Sequence, residues 1–331
     1  MPPGKSATVV LLHSDSGDTA RPADTSALEQ TAEVRFATEK DLVSVLPGAD
    51  VLFMWDFRTT ALAGAWPKAD QLRWVHAASA GVNHLLSPEL VTSEVALTNS
   101  RGVFDEPMAE YVLGLALAMA KDLPTTLRLQ GEGRWRHRET ERIGGRRALV
   151  AGTGPIGRAI GRKLRAVGMS VTGVGRTARE SDPDLGTVLP MSALPSALPE
   201  TDYLVLAAPL TDETRGMVDA AALRLLPPSA RVINVGRGPL IVEEDLVAAL
   251  TDGRLAGAAL DVFADEPLAA SSPLWRLPQV IVSPHMSGDV VGWKSELMAL
   301  FTDNLARYLD GAPLRNVVDK HRGYVRDGGS T

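Results

Sequence analysis

Five short β-type runs mark the first hundred positions, at residues 8–12, 34–37, 51–54, 74–77 and 96–98. Each has the length and the β-branched or aromatic content of a buried strand, and segments between them, such as 26–31 and 38–46, suit helices. Strands alternating with helices predict a parallel sheet with helical crossovers. A second series follows, with strand-like runs at 148–151, 170–174, 203–207, 232–235, 257–262 and 280–283 and helix-like runs at 158–167, 220–226 and 243–251. Between the two series, residues 108–122 read as a helix announced by Asp105, Glu106 and Pro107. Its stretch 112–120 is apolar nearly all round, which predicts cover on every side, between domains or between subunits. Residues 131–147 are polar and arginine-rich around Trp135 and read as a solvated loop. The last amphipathic stretch is 295–309. The predicted fold class is α/β, with two Rossmann-like doubly wound parallel-sheet domains.

Composition narrows the function classes. At 331 residues, 45% hydrophobic and 22% charged, the chain can build two sizeable cores. A net charge of −6 and a pI near 5.6 offer no basic face for a phosphate backbone, so no nucleic-acid partner is expected. The absence of cysteine excludes disulfides and thiolate chemistry, and the six histidines show no HxxxH spacing, so no metal site is expected. The opening segment MPPGKSATVVLLHSD has too brief an apolar run for a signal-peptide core. The run 112–120 is far below the roughly 20 residues a membrane span requires. The expectation is a cytoplasmic protein with no membrane association.

Chemistry begins at Arg147, where RALVAGTGPIG reads as strand, glycine turn and helix. Gly152 permits the tight turn, Gly154 lets the backbone approach a pyrophosphate, and Gly157 lets the helix pack against the strand, with Pro155 and Ile156 opening the helix. A diphosphate is favoured at that helix N-terminus by free N–H groups and the helix dipole. The next strand ends Val174-Gly175-Arg176-Thr177-Ala178-Arg179, where an enzyme using NAD usually carries an acid for the ribose hydroxyls. Arg176, Thr177 and Arg179 can instead pair a 2′-phosphate, so NADP(H) is the expected cofactor, with NAD(H) possible.

In an open parallel sheet ligands bind outside the carboxyl ends of the strands. Three later strand ends are followed by Gly236-Arg237-Gly238, by Asp265-Glu266-Pro267 and by Pro284-His285-Met286-Ser287-Gly288. Arg237, Glu266 and His285 thus fall at the edge that carries the glycine loop. Reducing a 2-oxo acid needs a hydride on the carbonyl carbon and a proton on its oxygen, and an imidazolium supplies protons near neutrality. His285 suits that role, with Glu266 to favour and orient the imidazolium. Arg237 offers a fork of donors for a carboxylate and for negative charge building on oxygen. The turn Ser79-Ala80-Gly81 can also present N–H groups to a carboxylate.

The set VAGTGPIG, APLTDETRGM, VINVGRGPLIVEEDL, LDVFADEPL and VSPHMSG, in this order and spacing, resembles the D-isomer-specific 2-hydroxyacid dehydrogenases, glyoxylate and hydroxypyruvate reductases among them. The resemblance implies a substrate domain split between residues 1–100 and 290–331, flavodoxin-like, and a dinucleotide domain at 101–289 inserted within it. It implies Arg237, Glu266 and His285 as the catalytic set. It places Ala208, Pro209, Thr214, Val235, Gly236, Asp261 and Ser287 around the cofactor, beside Arg237 and His285. It gives Ser79, Ala80 and Gly81, with Arg237 and His285, to a small 2-oxo or 2-hydroxy acid, and it implies a homodimer. The alternative is a nucleotide-sensing, corepressor-like binding protein on the same fold, whose relatives can keep the same Arg, Glu and His.

Overall fold

The computed structural model describes residues 7–325. Positions 1–6 of the opening segment, used above to judge targeting, lie outside them, as do positions 326–331. The described chain divides into two compact units, one comprising residues up to Val103 together with those from Val291 onward, the other Phe104–Val290.

In the first unit the order is β1 (Thr8–Leu12), α1 (Ser26–Glu29), β2 (Glu33–Ala37), α2 (Leu42–Val45), β3 (Val51–Met54), α3 (Ala61–Ala65), β4 (Trp74–Ala77), α4 (Pro88–Thr92) and β5 (Ala96–Asn99). The second unit runs α5 (Asp105–Ala120), α6 (Leu123–Gly131), β6 (Arg147–Ala151), α7 (Pro155–Ala166), β7 (Ser170–Gly175), β8 (Arg179–Asp182), β9 (Gly186–Pro190), α8 (Leu194–Ala197), β10 (Tyr203–Leu206), α9 (Ala220–Leu225), β11 (Arg231–Asn234), α10 (Glu243–Thr251), β12 (Gly257–Leu260) and β13 (Val280–Val282). The chain then returns to the first unit as α11 (Trp293–Leu309).

The first unit's sheet has the order β2-β1-β3-β4-β5, every pair parallel. This is a flavodoxin-like order. β1, β3 and β4 are buried along their whole length, which is why they read as unbroken apolar runs rather than alternating ones. Phe301 of α11 stacks on Phe53 of β3 with ring centroids 3.9 Å apart and on Trp74 of β4 at 5.2 Å, tying the returning helix to the sheet.

The second unit's sheet has the order β13-β12-β11-β10-β6-β7-β9-β8. All neighbours are parallel except β8 and β9. The strand order reverses between β6 and β10, the switch point at which a doubly wound sheet leaves a crevice. The α/β class with two such sheets is the one expected.

Several elements differ from the sequence reading. The hairpin β8–β9 and helix α6 were not anticipated. Polar Arg179-Glu180-Ser181-Asp182 lacks the apolar alternation of a half-buried strand because it is an edge strand with exposed central residues. α6 follows α5 after a left-handed Asp122 (φ 47°), a break that residue type rarely announces. α2 is only four residues long, inside the predicted 38–46. α7 begins at Pro155 rather than 158, because proline suits the first helical position. α5 buries one stripe, Ala109, Val112, Leu115, Ala116 and Ala120, while Tyr111, Leu113, Leu117 and Met119 are only partly covered and Gly114 is exposed. Within the single chain the expected cover on every side is therefore absent from α5.

A buried histidine sets an acid limit on the first unit. Trp74 Nε1 donates to Thr98 Oγ1 at 2.8 Å, and His76 Nδ1 lies 2.7 Å from the same oxygen. Ser100 Oγ sits 3.4 Å from His76 Nε2 and donates to Ala77 O at 2.9 Å. The Ser100 proton is thus used on a carbonyl, so Ser100 accepts from Nε2–H and Thr98 donates to Nδ1. That chain fits a neutral imidazole alone. Burial pushes the pKa of His76 down to about 3 from 6.5. Between those values the unfolded chain binds a proton that the folded chain refuses, so stability falls with pH from 6.5 towards 3, by up to about 1.4 kcal/mol per pH unit. His76→Gln should make the loss of stability between pH 6.5 and 4.5 shallower than in the parent protein; the measurement is denaturant midpoints at a series of pH values. Equal slopes for the two proteins would reject the assignment.

Candidate active site

Because β6, β7 and β10 to β13 run parallel, the residues following them share one edge of the second sheet. The ladder continues past the strands themselves: Ala207 N donates to Ala151 O, Val235 N to Leu206 O, Asp261 N to Asn234 O and Ser283 N to Leu260 O, at 2.8 to 3.1 Å. Val235, Asp261 and Ser283 are thereby anchored to the sheet shortly before Arg237, Glu266 and His285 in the chain.

At the switch point lies the glycine loop. Gly152 has φ +112°, and a Cβ there would fall 2.5 Å from Ala207 C and O, so only glycine fits between the two crossing segments. A Cβ on Gly157 would strike the Gly152 carbonyl oxygen. Gly154, the residue preceding α7, is exposed and has open space beside it. Two glycines close the inner side of the turn and the third leaves the outer side open at a helix N-terminus, which fits a bound pyrophosphate. Pro155 and Ile156, the first α7 residues, are partly covered. Arg158, one turn into α7, reaches Asp182 Oδ2 at 2.8 Å and Asp184 Oδ2 at 3.2 Å. The Asp182 side chain is 1% exposed and also takes amide donors from Asp184 and Leu185. Desolvation raises its pKa, but these amides and Arg158 outweigh that and hold it below the usual carboxylate range.

Gly175 ends β7, and Arg176 and Thr177 after it are exposed. Arg179 Nε lies 3.1 Å from Asp182 Oδ2, an ion-pair distance without hydrogen-bond alignment. Ala208 is buried and Pro209 exposed after β10. Thr214 Oγ1 accepts from Thr211 N at 2.8 Å and donates to Pro209 O at 2.7 Å, closing the 209–214 loop on itself.

After β11, Val235 and Gly236 are buried and Arg237 is partly exposed. Asn234, which the sequence reading passed over, shapes this turn: its Oδ1 accepts from Gly236 N at 3.1 Å and its Nδ2 donates to Arg237 O at 3.0 Å. Burial pushes the Arg237 pKa down and the Glu266 charge opposes it; a guanidinium stays charged at neutral pH.

Glu266 meets His285 directly. Its Oε2 is 2.7 Å from His285 Nδ1, and its Oε1 accepts from Phe263 N at 3.0 Å. Desolvation raises the Glu266 pKa, but the hydrogen bond and charge of His285, the Phe263 amide and Arg237 outweigh it, so the carboxyl lies below its usual range and is ionised at neutral pH. A carboxylate on Nδ1 fixes the proton there and leaves Nε2 to give or take one.

His285 itself has φ +54°, a left-handed conformation that costs a non-glycine residue about 1–2 kcal/mol. Asp261 holds it. Fully buried, its Oδ1 accepts from Ser283 Oγ at 2.7 Å and Met286 N at 2.9 Å, and its Oδ2 from Ser287 N at 2.9 Å. One carboxylate therefore grips both sides of the turn that presents the imidazole. Ser287 is buried by that grip.

In the first unit, Ser79, Ala80 and Gly81 follow β4 and are held from below: Ser79 Oγ donates to Gly81 O at 2.8 Å, Ser100 N to Ser79 O at 2.9 Å, and Asn99 Nδ2 to Ala80 O at 2.5 Å. They belong to the other unit from Arg237, Glu266 and His285. Among the described residues there is no cluster of His, Cys, Asp and Glu able to hold a metal, and no helix long and apolar enough to cross a membrane.

A glycine-turn crevice at a switch point, with a paired histidine and an arginine on the same edge, defines a dinucleotide-dependent oxidoreductase. Residues 113–287 match the family model described as D-isomer specific 2-hydroxyacid dehydrogenase, NAD binding domain. A glyoxylate/hydroxypyruvate reductase A of Escherichia fergusonii is 32% identical over 287 residues, covering 83% of this chain and 88% of that protein. Among solved structures, a D-isomer specific 2-hydroxyacid dehydrogenase of Xanthobacter autotrophicus Py2 in complex with NADPH is similar with a TM-score of 0.81 and 32% identity, over 97% of this chain and 100% of that one. An NADPH-dependent glyoxylate/hydroxypyruvate reductase of Sinorhizobium meliloti, in complex with NADP, also gives 0.81, at 30% identity and the same coverage. The chain belongs to the D-isomer-specific 2-hydroxyacid dehydrogenase family.

If Asp261 grips the His285 turn as described, Asp261→Asn places an amide donor against a buried backbone N–H. The expected cost is about 1–3 kcal/mol, with faster hydrogen exchange at the Met286 and Ser287 amides. Unchanged exchange at those two amides would reject the clamp.

Proposed function

We propose that the protein is an NADPH-preferring 2-oxoacid reductase of the cytoplasm, converting a small substrate such as glyoxylate or hydroxypyruvate to the D-2-hydroxy acid. The observation that carries this reading is the 2.7 Å pairing of His285 Nδ1 with an ionised Glu266, on the sheet edge that also bears Arg237 and the glycine loop. The substrate class comes from the names of the relatives, and the corepressor-like alternative gains no support from them.

When bound, the nicotinamide supplies the hydride, or takes it in the oxidative direction. The protein's own groups do the rest. Gly152, Gly154 and Gly157 with Pro155 and Ile156 hold the pyrophosphate, and Ala208, Pro209, Thr214, Val235, Gly236, Asp261 and Ser287 line or support the remainder of the cofactor site. Arg237 binds the substrate carboxylate and stabilises charge building on the carbonyl oxygen. His285 gives the proton from Nε2, while Glu266 keeps Nδ1 protonated and stabilises the positive charge of the imidazolium. Ser79, Ala80 and Gly81 are the residues assigned to substrate within the first unit, the substrate domain, and the second unit is the cofactor domain.

His285→Ala should lower kcat for 2-oxoacid reduction by about 10² to 10⁴, with NADPH affinity retained. Parallel loss of cofactor binding would count against the proton-donor role.

The cofactor preference rests on Arg176, Thr177 and Arg179 after β7. A charge-assisted hydrogen bond to the 2′-phosphate is worth roughly 10- to 150-fold in affinity. Arg176→Ala should raise KM for NADPH by about that factor and leave NADH nearly unchanged, compared at one salt concentration because ions screen exposed charge. Equal losses with both cofactors would reject this assignment.

A homodimer is the expected assembly. The partly covered side of α5, Leu127 at 66% exposure on α6 and Trp135 at 102% leave apolar area that a second copy of the chain would cover. Light scattering at micromolar concentration should return about twice the chain mass; a value near 35.2 kDa would reject the dimer.

A further inference from the structure

The glycine at the end of β7 is not demanded by its own backbone. Gly175 lies in an extended strand and shows no left-handed φ, so a side chain is conformationally acceptable there. What forbids one is Thr153, the second residue of the glycine loop. A Cβ on Gly175 would fall 2.6 Å from Thr153 Oγ1, 2.9 Å from its Cγ2 and 3.3 Å from its Cβ. Rotation of the threonine does not clear the space. Two of its three staggered positions face Gly175 and two of its three Cβ substituents are heavy atoms, so every rotamer keeps at least one heavy atom on the facing side.

We propose that Thr153 is a cofactor-selecting residue: by filling the place of a β7-terminal side chain, it excludes the acid that would accept from the ribose hydroxyls of NADH. This rests on the NADPH preference proposed above and gives it a second, steric cause beside the cationic residues. Selection then has two parts, both at the end of β7. Arg176, Thr177 and Arg179 attract a 2′-phosphate, while Thr153 keeps position 175 free of a carboxylate that would repel it. The two parts make different demands on variants, since replacing the arginines leaves position 175 closed to an acid.

The test is a double-mutant cycle with two readouts. Gly175→Ala should lower Tm of the protein without cofactor in the Thr153 background and lower it less, or not at all, in the Thr153→Gly background. Calorimetric titration with NADH should then show Thr153→Gly/Gly175→Asp binding at least about tenfold more tightly than Gly175→Asp alone, the size of one regained hydrogen bond to a charged group. If Gly175→Asp alone does not fold, recovery of folded protein on adding Thr153→Gly is the expected result, and failure to recover it overturns the proposal. Additive Tm changes, or a Gly175→Asp protein that already binds NADH as tightly as the double variant, also overturn it. The preference of the parent protein is read separately in the same titrations. Tighter binding of NADH than NADPH there would sink the underlying NADPH reading, whereas absence of coupling between positions 153 and 175 sinks this inference.

Discussion

The unbroken parallel pairing from β13 to β7 is the constraint on which the site depends. Parallel strands joined by helical crossovers put every carboxyl end on one edge, so residues 152, 207, 235, 261 and 283, far apart in sequence, become neighbours along a single ladder of hydrogen bonds. The reversal of strand order between β6 and β10 opens that edge where the glycine turn lies. An antiparallel strand inserted in the middle would point its end the other way. Among the described residues the one antiparallel pairing of this sheet, β8 with β9, is confined to its far edge, where it carries Arg179 but leaves the strand ends from β6 to β13 undisturbed.

Two carboxylates of this unit are buried with their charge answered. Asp261 takes three donors and Asp182 takes two amides besides Arg158 and Arg179, which compensates the loss of water around each carboxylate. Both serve as anchors. Asp261 stabilises the left-handed His285 against its backbone strain, and Asp182 fastens the β8–β9 hairpin to the helix that follows the glycine loop. Glu266 differs, being 35% exposed in its side chain and bonded to a single backbone amide, so its other oxygen is committed to the imidazole.

Strands buried on both sides were legible because apolar runs such as residues 8–12 and 203–206 have little other use in a chain of this length. The glycine turn was legible for a similar reason, since its spacing serves three separate steric needs. What escaped is set by contacts that leave no periodic trace. The edge strand Arg179–Asp182 is polar and bulged; α6 follows a left-handed aspartate; and Asn234, which frames the Arg237 turn, looks like any strand-terminal asparagine until Gly236 N and Arg237 O are placed around it. Thr153 is the sharpest case. Gly175 was readable as the absence of an acid, but the reason for a glycine rather than any other neutral residue lies in a side chain 22 positions earlier in the sequence.

Two histidines show why residue type underdetermines chemistry. His76 and His285 each make a hydrogen bond of 2.7 Å through Nδ1. For His76 the partner is a hydroxyl inside an apolar and aromatic core, and desolvation with no countercharge keeps the ring neutral down to about pH 3. Its proton is fixed by Ser100 and Thr98, and its work is structural. For His285 the partner is an ionised carboxylate, and the side chain is 43% exposed. The same imidazole is shut away from water in one setting and open to it in the other. The difference comes from what lies behind each partner: a carbonyl that consumes the Ser100 proton in the first, and in the second a carboxylate held charged by His285 itself, with the Phe263 amide and Arg237 adding to it. The setting of each ring is therefore built by backbone groups as well as side chains, the Ala77 carbonyl behind Ser100 for His76 and the Phe263 amide on Glu266 for His285.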